Sequence, residues 1–328
     1  MPDFALHAPR SLDEACQALG RYDGEARVIA GGTALVLMIH QGLVDPPALV
    51  RLDTVPGLDR IAVEKATPPA QRPSQYSAPH PEGQGERDDE AGSPQAGWEG
   101  GEVLRLGALA TLRAVAESPL VRERLPVLAG ACALVGNVRV RNAATIGGNL
   151  CEADYASDPP GVLVALGARV RVVGASGTRE LAVADLIQDF YENSLGPDEI
   201  VAEVLVPLPP AGARGAYLKY VTRSSEDRPC VGATALVQLD AAGRLADVRV
   251  AVGAVAGQPL RLPEVERAAR GQTPSDALFA EIGQRYAAAV EPVSDARGSA
   301  AYRQRMIAVF VRRALRRALA DESGAWKV

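Results

Sequence analysis

The stretch RVIAGGTALVLMIHQGLVDPPALVRLD, residues 27–53, decides how the chain begins to fold. A short apolar strand leaves through Ala30-Gly31-Gly32-Thr33, enters the apolar segment ALVLMIHQG and returns as a second strand, ALVRLD. Unbroken by charge and stopped by Gly42 and Pro46, that segment reads as a buried helix. Glycine lets a ligand approach the main chain, and successive amides at a helix start carry partial positive charge, so this turn could cradle a phosphate without a lysine. Thr33 could cap the helix or bond the ligand. Positions 36–40 are VLMIH, which excludes GxxxxGK[ST], and GxGxxG is absent. Taken by itself, the segment is better read as a plain strand-to-helix turn.

Upstream, Ser11 and Glu14 of SLDEACQALGRY form a capping box at the start of a helix, which makes residues 1–56 a helix-strand-helix-strand lobe. Downstream, residues 66–101 are dominated by Pro, Gly, Ser, Gln and charge, the composition of a disordered insertion between two strands. Loop closure grows only logarithmically with length, so such an insertion costs little. Around it, residues 57–178 read as a second lobe of mixed class, with one helix through TLRAVAESPLV, a short one near GVLVALG and a strand ARVRVVGA. The remaining unit, 179–328, combines an antiparallel sheet (GAYLKYVTR, CVGATALVQLD, LADVRVAVGAVAG, the last two joined at AAGR) with helical patterns at 262–270, 275–289 and 300–320. The arginines of the final helix, Arg303, Arg305, Arg312, Arg313, Arg316 and Arg317, read as a solvated face. The fold class expected is α+β.

A second glycine pair alters the reading of the first. TIGGNL, residues 145–150, is another such turn after an apolar approach, and Asp158 follows in YASDPPG. Two glycine-paired turns in neighbouring lobes suit a long ligand between them, one on a diphosphate and one on a polar linker. A carboxylate repels phosphate but accepts hydrogen bonds from sugar-like hydroxyls. In isolation Asp158 is equally a helix N-cap ahead of Pro159 and Pro160.

Composition narrows the function. With 47% hydrophobic residues, 23% charged and a formal charge of -5 over 328 residues, nothing points to nucleic acid. No apolar run reaches the roughly 18 residues of a membrane span, and an N-terminus carrying Asp3, Asp13 and Glu14 lacks the order of a secretory signal, so a cytoplasmic protein is expected. Cys16, Cys132, Cys151 and Cys230 are too scattered for metal ligation, and His7, His40 and His80 show no metal spacing. No metal site and no catalytic nucleophile is expected.

AGGTALVLMIHQGLVDPPALVRLD, RNAATIGGNLCEADYASDPP and GAYLKYVTRSSEDRPCVGATALV, in that order, resemble the FAD-binding medium subunit of the molybdenum hydroxylases. That group includes the xanthine dehydrogenases, aerobic carbon monoxide dehydrogenases and 4-hydroxybenzoyl-CoA reductases. The resemblance covers nearly the whole chain outside the insertion. It implies a two-lobed FAD domain of the vanillyl-alcohol-oxidase type and a C-terminal flavoprotein domain. It also implies that Val28, Ile29, Ala30, Gly31, Gly32, Thr33 and Ala34 wrap the FAD diphosphate. Thr145, Gly148, Asn149 and Asp158 fall at cofactor-contacting positions, with Gly136 close by, and Lys219 matches a lysine near the flavin ring. Judged from the strand alone, Lys219 is as readily a surface residue. Arg223, Glu226 and Asp227 match a loop beside the flavin, or form a salt-bridged surface turn. Unlike the 4-hydroxybenzoyl-CoA reductase flavoproteins, the insertion has no cysteine, so no extra iron-sulfur cluster is expected there.

The function implied is electron transfer within an oxidoreductase complex. Electrons leave a molybdenum-cofactor large subunit, pass a [2Fe-2S] small subunit, reach FAD on this chain and go on to NAD or another acceptor. Two other readings are a docking subunit poor in flavin and a self-contained FAD reductase. The latter needs a proton donor that the sequence does not offer.

Overall fold

The computed structural model describes residues 4–65 and 101–320. The expected disordered insertion therefore lies, apart from Gly101, outside the described residues.

The first lobe is a parallel sheet of β1 (Ala5–His7), β2 (Arg27–Ile29) and β3 (Ala48–Arg51) in the order β1-β3-β2, with α1 (Leu12–Gly20) and α2 (Leu35–His40) as crossovers. Parallel neighbours cannot be joined by a tight hairpin, which is why helices alternate with these strands. Ser11 caps α1, its hydroxyl accepting from the Glu14 amide at 3.2 Å, while the Glu14 carboxylate accepts from the Arg10 amide, one residue ahead of the cap. α1 buries Ala15, Cys16, Ala18 and Leu19 among Val50, Leu52 and Val55. α2 departs from expectation: none of its residues is buried, and Val36 and Leu37 are 51% and 53% exposed. A helix of six residues makes fewer than two turns, so only one side reaches the sheet and an all-apolar sequence leaves the rest in solvent.

The second lobe is an antiparallel sheet built from β4 (Ile61–Lys65), β5 (Glu102–Gly107), β6 (Arg169–Gly174), β7 (Gly177–Ala182) and β10 (Ile200–Pro207), in the order β4-β5-β10-β6-β7. The helices α3 (Leu112–Glu117), α4 (Pro119–Arg124), α5 (Pro126–Ala133), α6 (Val138–Ala143), α7 (Ile146–Glu152) and α8 (Pro159–Leu166) lie between β5 and β6 in sequence, and α9 (Val183–Leu186) with the pair β8 (Ile187–Asp189) and β9 (Glu192–Asn193) between β7 and β10. Two corrections follow. The lobe does not end at 178, because β10 sits at the centre of the sheet; its run IVAEVLVP is mostly buried, as a strand covered on both faces must be. The helix expected through TLRAVAESPLV is two helices, since Ser118 ends α3 and caps α4, with Pro119 at its first position.

The last unit is the antiparallel sheet β11 (Arg214–Tyr220), β12 (Val231–Leu239), β13 (Leu245–Gly253) and β14 (Leu260–Arg261), backed by α10 (Pro263–Ala269), α11 (Asp276–Ala288) and α12 (Ala300–Leu319). The arginines of α12 are not all solvated. Arg303 is fully buried, donating to the carbonyls of Cys230 and Ala254 and to Asp295. A guanidinium with that many fixed acceptors offsets its own desolvation. Among the described residues no helix is long and apolar enough to cross a membrane.

Candidate functional site

The turn after β2 is shaped first by contact between the lobes. A Cβ placed on Gly31 would lie 1.7 Å from the Ala143 carbonyl oxygen, so the main chain at Gly31 presses directly on the end of α6. Gly32 has φ +68°, the left-handed region that side chains rarely adopt. Substituting Gly32 would therefore strain the backbone whether or not a ligand binds. No side chain caps α2, and Thr33, exposed, does not serve as its cap. The Val36 amide donates to the Gly32 carbonyl at 3.0 Å; ahead of it lie the amides of Thr33, Ala34 and Leu35. Val28 and Ile29 are half-buried strand residues behind this turn. A groove of about 340 Å³ opens beside it, lined by Phe4, Leu6, Ile29, Ala30, Val36 and Leu49 among others.

The second glycine pair meets the first. A Cβ on Gly148 would lie 3.9 Å from that of Ala30, and Gly148 is exposed, whereas one on Gly147 would strike Ala108 at 2.6 Å. Gly147 is thus a packing glycine; Gly148 is exposed, yet a Cβ on it would also come within 2.9 Å of the Thr145 hydroxyl oxygen, and both glycines lie in the first turn of α7 and not in the strand-to-helix turn expected. Thr145 is buried and caps α7, its hydroxyl accepting from the Gly148 amide at 3.1 Å. Asn149 exchanges hydrogen bonds with Ser157 at 2.8 and 3.1 Å, which carries the chain from α7 towards α8. Gly136, with φ +46°, lies in a turn whose carbonyls at Val135 and Gly136 accept from Arg141.

Asp158 and Lys219 are brought together across the lobe boundary. Asp158 Oδ2 accepts from Lys219 Nζ at 2.9 Å and Oδ1 from the Tyr217 phenol at 2.6 Å. Their side chains are only 3% and 5% exposed, so Lys219 is no surface residue, and Asp158 makes no side-chain cap on α8. Lys219 also donates to the Leu134 carbonyl at 2.7 Å, which ties the turn at Gly136 into the same place. An ammonium has three donors; two are engaged, and the third has no partner among the described residues. Arg223, by contrast, lies 70% exposed, 3.7 Å from Asp227 in a surface turn.

Burial pushes the Asp158 carboxyl up from 3.8 to about 6, partly countered by Lys219 and the Tyr217 hydrogen bond. A carboxyl that holds its proton more tightly when folded contributes stability that is complete below the unfolded value near 3.8 and lost as pH rises through about 6. Urea unfolding should therefore show the stability of the native chain, relative to Asp158→Asn, falling between about pH 4 and 7. A flat difference over that window would contradict the burial of the carboxylate.

All thirteen expected site residues lie in one connected region: Gly31 against Ala143, Gly148 beside Ala30, Asn149 bound to Ser157, Asp158 to Lys219, and Lys219 to Leu134. Tyr217 was missed. Its signal was in YLK, since residues two apart on a strand share a face and Tyr217 lies beside Lys219 on β11.

Residues 2–67 and 98–209 match the family model described as the FAD binding domain in molybdopterin dehydrogenase, and residues 216–318 match the CO dehydrogenase flavoprotein C-terminal domain. The chain is 29% identical to the nicotine 6-hydroxylase medium subunit of Paenarthrobacter nicotinovorans, over 96% of this chain and 97% of that one. It is 27% identical to the carbon monoxide dehydrogenase medium chain of Afipia carboxidovorans, over 97% of each. Among solved structures, the carbon monoxide dehydrogenase of Hydrogenophaga pseudoflava superposes with a TM-score of 0.82 at 28% identity, covering 97% of this chain and 98% of that one. Quinoline 2-oxidoreductase of Pseudomonas putida 86 gives 0.79 at 26%, covering 97% of each. The break between the two family models falls between 209 and 216, where β10 ends and β11 begins. With the glycine turn of one lobe meeting the glycine-bearing start of α7 in the other and both models matched, the chain belongs to the FAD-binding subunits of the molybdopterin dehydrogenases: it is an FAD-binding oxidoreductase subunit.

Proposed function

We propose that this chain is the electron-transfer flavoprotein of a molybdenum hydroxylase complex, with FAD lying between its lobes in the manner of the vanillyl-alcohol-oxidase fold. In this reading it assembles with a molybdenum-cofactor large subunit and a [2Fe-2S] small subunit, takes electrons from the clusters of the latter and passes them to NAD or another acceptor. The observation that carries the site is the meeting of the two glycine segments, with Gly148 exposed beside Ala30 and no side chain capping α2. The amides of Thr33, Ala34 and Leu35 are then donors for the diphosphate. Ala30 with its single methyl and Gly148 with no side chain would leave its path little obstructed, and Asn149 would line the linker.

FAD supplies one chemical property, the capacity to take electrons singly and give them up in pairs. The chain supplies position and charge. The third donor of Lys219 would be available to the flavin edge, where a cation would favour the reduced form, and Asp158 holds that ammonium in place while keeping spare lone pairs for a hydroxyl.

Thr33→Glu tests the cradle without straining it, because Thr33 is exposed and caps nothing. Its carboxylate would face the diphosphate. FAD affinity should fall at least about tenfold, with the urea midpoint unchanged and Thr33→Ser behaving as the native chain. Undiminished FAD affinity in Thr33→Glu would remove the diphosphate from this turn.

A further inference from the structure

Tyr217 is buried, and its phenol is the residue's one polar group. Its hydroxyl reaches Asp158 by lying along the neighbouring strand. A Cβ on Gly232, two residues from Tyr217's cross-strand partner Thr234, would come within 2.9 Å of that hydroxyl. Gly232 thus leaves the room that the phenol occupies. The ring spans from β11 to the start of α8 and places its proton on Oδ1, which leaves Oδ2 for Lys219.

We propose that Tyr217 is a positioning residue that sets the charge balance at the flavin edge: its phenol keeps Asp158 ionised and turned to Lys219, so that the carboxylate offsets the Lys219 cation. This rests on the FAD reading above. The phenol is a donor at any working pH, because burial and the Asp158 charge both hold it protonated. The titratable groups that face Asp158 are Tyr217 and Lys219 from β11, Cys132 from α5 and Asp154 from the turn before α8. Burial raises the Cys132 thiol well above its ordinary value, so it stays neutral. Asp154 pairs with Arg228 at 2.7 Å. Burial, which raises the Asp158 carboxyl to about 6, brings its change of charge close to neutrality. When it takes a proton, one negative charge beside the flavin is lost, and the net positive charge left at Lys219 favours reduced flavin.

The test is the midpoint potential of bound flavin against pH, in the full chain loaded with FAD. The native chain should show an inflection near pH 6, where Asp158 titrates, and Asp158→Asn should lack it. Tyr217→Phe removes the hydrogen bond that favours the ionised carboxylate, so the inflection should move up by about one pH unit while FAD stays bound. Gly232→Ala, which displaces the phenol and leaves the tyrosine in place, should move it the same way. An inflection in Tyr217→Phe at the native pH overturns the proposal, since a merely structural tyrosine would alter stability and leave the titration alone. If the native chain takes up no FAD, it is the flavin reading that fails. The same comparison is then made on the pH dependence of urea unfolding in the flavin-free chain: an upward move in Tyr217→Phe supports the lock, and coincident curves overturn it.

Discussion

Gly31→Ala is expected to destabilise the chain by more than about 4 kcal/mol and to abolish flavin binding along with it. The added methyl would lie 1.7 Å from the Ala143 carbonyl oxygen, far inside any van der Waals distance, and what it strikes is backbone rather than the movable end of a side chain. Relief requires the turn after β2 to move away from α6, and that contact is what sets Ala30 beside Gly148. Stability and cofactor retention should therefore fail together. Urea unfolding and bound flavin per chain measure the two. A second variant separates crowding at this contact from a general intolerance of substitution in glycine turns: Gly42→Ala, where a Cβ would meet nothing within 4 Å, pays only for a left-handed φ of +69° and should lose about 1 kcal/mol. A Gly31→Ala chain as stable as the native one would show that the lobes do not meet as described.

That contrast marks how far the residues alone could be read. The segments at Gly31-Gly32 and Gly147-Gly148 stood out because paired glycines are a local signal, though only the first is a turn after a strand; the second lies in the first turn of α7, behind its Thr145 cap. Their division of labour did not, because it depends on what faces each one across space: Ala143 for Gly31, Ala108 for Gly147, the capping Thr145 hydroxyl and Ala30 for Gly148. The strands and helices of the last unit follow closely from periodicity, as in the hairpin of β12 and β13. β10 was misplaced because a central strand is simply an apolar run, and nothing local says which sheet receives it. α2 was misjudged for a related reason, since hydrophobicity reports what a segment would gain by burial and not whether a surface exists to bury it. Arg303 looked like its neighbours on α12 until the carbonyls of Cys230 and Ala254 were placed against it. Asp158 and Lys219 were each legible as candidates, but their pairing spans 61 positions and is a product of the fold.

Lys219→Met should cost about 3–5 kcal/mol, because it leaves the Asp158 carboxylate buried without its counter-ion and the Leu134 carbonyl without its donor. The loss should depend on pH. With the cation gone the carboxyl holds its proton more tightly still, so the variant recovers stability as pH falls, and the gap from the native chain is widest on the alkaline side. Asp158→Asn made in the Lys219→Met background removes the orphaned charge and keeps an acceptor for the Tyr217 phenol, so it should restore most of the lost stability and flatten that pH dependence. Flavin behaviour should not be restored with it. The double variant lacks the third donor of Lys219, so any FAD it binds should have a lower midpoint potential than in Asp158→Asn, where the lysine remains. Stability recovered with the potential still displaced would separate the ion pair's part in folding from its part at the flavin. A double variant as unstable as Lys219→Met would mean that the buried charge was not the source of the loss, and an unshifted potential would place Lys219 away from the flavin.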